Sequence, residues 1–118
     1  MWREEENEKL RGIYGVLSRL GLSANYTGFF QLAWAVWLAK EEPERLQMVT
    51  KRLYPEVAKR CNTSWQAVER NLRTAVGVIW KWDTPYLRQI VGSPLPAKPR
   101  NAWFLSLLAA CAPEDGVA

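Results

Sequence analysis

Gln66, Glu69, Arg70, Arg73 and Thr74 recur at steps of three and four residues, the spacing of one face of a helix. With Val68 set at zero and about 100° per residue, these five fall between about 100° and 240°, whereas Leu72, Ala75, Val76 and Ile79 fall within about 80° of Val68. One side of such a helix is built for a core, and the other carries two arginines, a glutamate, an amide and a hydroxyl. Arginine can fork onto O6 and N7 of guanine and glutamate can accept from the cytosine amino group, each good contact giving about 1–3 kcal/mol of discrimination. A major groove admits one helix, whose N-terminal turns meet the base edges. The same face also reads as a solvated surface, because Glu69 and Arg73 stand four apart and can pair with each other for about 0.2–0.5 kcal/mol.

Just upstream, Thr63 and Ser64 stand where a helix begins, and a helix start with free amides suits a phosphate oxygen. Thr63 and Gln66 match a capping box, which places the helix start at about Ser64 and lets the helix run to Lys81 or Trp82. Lys51, Arg52, Lys59 and Arg60 would add sequence-blind attraction to phosphates. From Arg45 to Arg73 there are seven basic and two acidic residues, a net +5 in a chain whose total is +4. Such a block fits a polyanion partner, and it equally fits a solvated basic face. The segment Leu53–Trp80 thus reads as two helices joined at Cys61-Asn62-Thr63, a helix-turn-helix whose turn lacks the usual glycine.

The remaining elements must hold this pair. Leu10, Ile13, Tyr14, Leu17 and Leu20 give Glu4–Leu20 a helical stripe, with glutamates in its first turn and Gly21 at its end. A second helix is expected over Thr27–Glu42, capped by Asn25 or Thr27 and stopped by Pro43. It is apolar nearly all round, so it is expected to be buried on most sides. A short helical piece follows over Glu44–Leu53, then Tyr54–Cys61 with Pro55 in its first turn. Thr84-Pro85 opens another short helix that Gly92-Ser93-Pro94 stops, and Pro94, Pro96 and Pro99 make a stiff connector to a last helix over Asn101–Ala112. No stretch alternates with a period of two. The fold class is all-α, without repeats.

Composition removes most other chemistries. There is no histidine, which excludes Ser-His-Asp triads, Cys-His pairs and zinc sites of the usual spacing. Cys61 and Cys111 have no companion ligands and read as buried apolar residues rather than a disulfide. No catalytic constellation is present, so the chain is not expected to be an enzyme, and nothing calls for a cofactor. The apolar runs Gly28–Ala39 and Ala102–Ala112 are too short to span a bilayer, and the start Met1-Trp2-Arg3-Glu4-Glu5-Glu6 is not a signal peptide. A cytoplasmic, membrane-free protein is expected.

The blocks GLSANYTGFFQLAWAV, LYPEVAKRCNTSWQAVERNLRTAV and Ala97-Lys98-Pro99 resemble, in order and spacing, the C-terminal DNA-binding (effector) domain of the sporulation-initiation response regulator family. Leu53-Tyr54-Pro55, Ala58-Lys59, Asn62-Thr63, Val68-Glu69-Arg70, Arg73 and Trp80 carry the resemblance. It implies a six-helix domain with a helix-turn-helix that binds a short promoter box of double-stranded DNA, as tandem copies, with a surface that contacts the sigma subunit of RNA polymerase. By position, Glu69, Arg70 and Arg73 match the family's base readers and Lys81–Val91 its polymerase-contacting surface. The family tends to carry arginine where Ala67 stands and histidine where Thr74 stands, and both donors are missing. Residues 21–112 form the expected effector domain within a single unit 1–118, after an N-terminal helix or linker (1–20) and before a tail (113–118). In the family a receiver domain precedes this part, so the sequence reads as an excised domain or as a stand-alone protein without a phosphorylation switch, and the Glu-rich start and first helix favour the latter. The rival to a transcription regulator is a protein-interaction module that kept the fold and lost specific DNA binding.

Overall fold

The structure, a computed structural model, describes residues 4–112, with side chains from Glu8 onward. Met1–Arg3, the side chains of the first-turn glutamates and the tail 113–118 lie outside the described residues. Six α-helices follow one another: α1 (Glu4–Arg19), α2 (Thr27–Glu41), α3 (Tyr54–Arg60), α4 (Trp65–Trp82), α5 (Pro85–Val91) and α6 (Asn101–Cys111). Among the described residues there is no strand, and no helix is long and apolar enough to cross a membrane.

Hydrophobic spacing explains which faces meet. α1 buries Leu10, Ile13, Val16, Leu17 and Leu20 in the same core as the helices that follow, so it is an integral layer of the domain. It ends in a Schellman turn: Leu22 N–H donates to the Leu17 carbonyl and Gly21 N–H to that of Ser18, with Gly21 at φ 93. α2 is the central element, packed against α1, α3, α4 and α6. Its length is buried from Gly28 to Ala39, save Phe30 and Trp37, as its all-round apolar composition requires. The residue before α2 is Tyr26, whose side chain makes no capping bond, so neither Asn25 nor Thr27 is the cap. Where Asn25 and Thr27 stand, the backbone turn Phe29 N–H to Tyr26 carbonyl already closes the helix start.

Pro43 does stop α2, but the piece foreseen over Glu44–Leu53 is two short turns, a 3₁₀ turn over Pro43–Gln47 and a π turn over Val49–Leu53. Met48, at φ -142 and ψ 62 between them, is not helical and breaks the continuity. α6 lays Phe104, Leu105 and Leu108 on α2, and Lys40 at the end of α2 donates to the carbonyls of Ala109 (3.1 Å) and Ala112 (2.8 Å), satisfying the frayed end of α6. Cys111 lies on the outer side of this last turn and is exposed, which corrects its reading as a buried apolar residue; Cys61 is half-buried, and both thiols are free.

Candidate nucleic-acid interface

α3 and α4 are joined by a turn in which asparagine does what glycine usually does. Asn62 takes φ 54, a left-handed conformation that asparagine tolerates better than other side chains. Thr63 N–H donates to the Ala58 carbonyl at 3.0 Å and Asn62 N–H to that of Lys59 at 3.5 Å, the bond pattern of a Schellman turn. Thr63 closes α3 with its backbone N–H, and the cap of α4 falls one residue later. The cap is Ser64, in extended conformation, whose Oγ accepts from Ala67 N–H at 3.1 Å. The capping box foreseen from Thr63 to Gln66 is therefore shifted by one residue and reduced to a single bond, since Ala67 occupies the third position and has no side chain to return it. The amides of Trp65 and Gln66 are left without intrahelical acceptors.

α4 divides as its periodicity demands. Val68, Leu72, Ala75, Val76 and Ile79 are the residues it buries. Gln66, Arg70, Arg73 and Thr74 are exposed and Glu69 is half-buried, so the five face residues lie together on one outward side. Within that side, Arg73 Nη2 sits 3.1 Å from Glu69 Oε1, and the Thr74 hydroxyl donates to the Arg70 carbonyl at 3.2 Å. Thr74 therefore keeps only acceptor capacity for a partner. Arg70 makes no ion pair among the described residues.

The other sequence-assigned cations form two groups. Lys59 and Arg60 end α3 beside the turn that holds Thr63 and Ser64. Both share the Glu56 carboxylate, at 3.6 and 3.4 Å, and the Arg60 guanidinium lies 5.0 Å from the Trp34 ring centroid. Lys51 and Arg52 lie in the π turn that precedes α3, at the opposite end from Lys59 and Arg60; Arg52 pairs with Glu42. All of these pairs are on the surface, where an ion pair is worth about 0–1 kcal/mol, so a phosphate can replace the carboxylate at little cost. Cys61, within the turn, has its thiol pushed up to about 11 by burial, against a smaller opposing pull from Arg60. A thiol held protonated is a packing group here, not a nucleophile.

Four residues absent from the sequence assignment, Gln31, Asn71, Gly28 and Asn101, fix how α4 sits. Gln31, the one polar residue of the Gly28–Ala39 run, is buried and accepts from Asn71 Nδ2 at 3.1 Å. One turn away, Gly28 lies so close to α4 that a Cβ there would be 2.5 Å from the Asn71 carbonyl oxygen. From the other flank, Asn101 Nδ2 donates to the Glu69 carbonyl at 3.2 Å and stands 3.4 Å from the Tyr54 hydroxyl. Burial pushes the Tyr54 phenol above its ordinary range, so this contact stays neutral. α4 is thus gripped by amides on both sides. A polar residue alone in an apolar run was the available signal for Gln31, while nothing local marks Asn71 or Asn101.

The family model described as "Sporulation initiation factor Spo0A C terminal" matches residues 13–111, most of the chain and all of the helix-turn-helix. That family is an all-α DNA-binding domain of transcription regulators. The match begins within α1 and ends at the close of α6, so it covers the elements that bury α4's inner face. The chain belongs to the Spo0A C-terminal family of DNA-binding domains.

Proposed function

We propose that this domain is a sequence-specific transcription regulator that lays the first turns of α4 in the major groove of double-stranded DNA. The observation that carries the reading is the undivided outward face of α4, on which Gln66, Glu69, Arg70, Arg73 and Thr74 stand together beyond a bound helix cap. Arg70 is the principal reader, since no carboxylate competes for its fork. Arg73 and Glu69 act as a coupled pair: on a guanine or cytosine edge their mutual bond opens, and each gains a base partner. Gln66 reads from the first turn, and Thr74 accepts. Thr63, Ser64, Lys59 and Arg60 engage one phosphate strand at the start of α4, and Lys51 and Arg52 add longer-range attraction. Residues 21–112 are the effector unit, completed by α1, and the place of work is the cytoplasm, on DNA.

Two further roles are proposed by analogy with the family. Tandem copies would occupy repeated boxes. The Lys81–Val91 region would meet the sigma subunit of RNA polymerase; it includes the end of α4, the Asp83–Arg88 bidentate pair and α5, with Trp82 65% exposed.

A protein-interaction module is the second reading, favoured by the Glu69–Arg73 bond, the absence of a donor at Ala67 and the exposed Trp65, Trp82 and Trp103. Selection of bound duplexes from a random pool separates the two. Enrichment of one short box supports the regulator. No enrichment, with no salt-dependent binding to random DNA, leaves the interaction module.

A further inference from the structure

The proline-rich connector between α5 and α6 returns across the outer face of α4. On the wheel that puts Arg73 at about 140°, Gly77 stands at about 180°, one turn further along the same outward stripe. A Cβ on Gly77 would meet the Lys98 side chain, 3.3 Å from Nζ and 3.4 Å from Cε. The missing side chain at Gly77 is therefore the space in which Lys98 lies, and its ammonium extends the stripe that Arg70 and Arg73 begin. Beside it, Tyr54, Glu69, Arg73, Lys98, Arg100 and Asn101 border one open cleft of about 410 Å³. Three cations face one carboxylate there, and that carboxylate is already bonded to Arg73. Lys98 and Arg100 are exposed, and among the described residues neither has an ion-pair partner. The bond from Asn101 to the Glu69 carbonyl ties the connector's end to α4.

We propose that Lys98 and Arg100 form a second DNA-contacting element, which grips the phosphodiester backbone bordering the groove that α4 occupies. This rests on the DNA-binding reading above. A helix whose first turns face base edges leaves the groove over a sugar–phosphate strand, and cations held on its outer face beyond the last base reader meet that strand. Phosphate contacts position the protein without choosing sequence. The element therefore governs affinity and salt dependence, and leaves the choice of box to Arg70 and Arg73.

The test titrates the full chain with a duplex carrying its selected box and with a scrambled duplex, over a salt series. It runs beside a Lys98→Gln/Arg100→Gln variant and a charge-keeping Lys98→Arg/Arg100→Lys variant. The neutral variant is expected to bind both duplexes more weakly by one common factor. Its slope of log K against log salt should be shallower by about 0.9 per lost contact, so about 1.8 for both, while the charge-keeping variant retains the parent slope. Single methylphosphonate linkages provide a second readout: one or two positions weaken the parent and cost the neutral variant nothing more. A parental slope in the neutral variant, or undiminished sensitivity to every methylphosphonate, overturns this proposal and leaves the role of α4 standing. A parent that binds no duplex at any salt overturns both.

Discussion

α2 and α4 pack against each other, and they use their surfaces in opposite ways. α2 is enclosed by four other helices and presents almost nothing to a partner; its buried amide, Gln31, turns toward α4. α4 buries one stripe and leaves the other free, with charge on the free side. Burying α2 this fully makes it the rigid member against which α4 is registered. On the function proposed above, stability and recognition are carried by separate helices, joined at a seam where Gly28, Gln31 and Asn71 meet.

Substitutions should separate those roles. Leu32→Ala, at a fully buried position of α2, is expected to cost about 2–5 kcal/mol in urea unfolding, because the transfer loss adds to a cavity that neighbours fill incompletely. A cost below about 1 kcal/mol would mean that α2 is not the core element described. Gly28→Ala attacks the seam itself. Its Cβ meets backbone oxygen at 2.5 Å, so the two helices must separate, at about 1–3 kcal/mol. Asn71→Leu should cost about 1–3 kcal/mol by stranding the buried Gln31 amide, and adding Gln31→Leu should recover much of it. If the double variant is as weak as the single one, the amide pair is not what the seam depends on.

Thiol chemistry offers a gentler probe of the same contrast. Cys111 is exposed and should react with an alkylating reagent at pH 8 well before Cys61, whose burial raises its pKa from 9.0 to about 11. Because the folded thiol keeps its proton where the unfolded chain loses it, the stability linked to Cys61 is whole below about pH 9. It is lost as pH rises toward about 11. Equal labelling rates at pH 8 would contradict the packed turn. The smallest effect on stability is expected on the outer face of α4, where Arg70→Ala should change unfolding by no more than about 0.5 kcal/mol.

Much of this was legible in the residues, and the illegible part has a common cause. The two faces of α4, the enclosure of α2, the stop at Gly21 and the cap at Thr84 all follow from local spacing and local hydrogen bonds, which the chain displays directly. The cap of α4 was misplaced by one residue because Thr63 and Ser64 are chemically alike, and only the closing of α3 decides between them. The outward turn of Cys111 depends on where α6 ends against α2. Lys98 looks like connector charge, since its place over Gly77 comes from the chain's return across α4, twenty-one residues later. Tertiary returns of this kind leave no periodic trace. The Glu69–Arg73 bond lies between these cases: its spacing is visible in the sequence, and the bond itself is seen only on the assembled face.

The most direct test compares the parent chain with Arg70→Ala, by fluorescence anisotropy, on the selected box and on a scrambled duplex at two salt concentrations. The parent should prefer the box, and Arg70→Ala should lose about 1–3 kcal/mol of that preference while keeping its low-salt binding to both duplexes. An Arg70→Ala variant that still prefers the box as strongly as the parent would contradict the assignment of α4 as the reading helix.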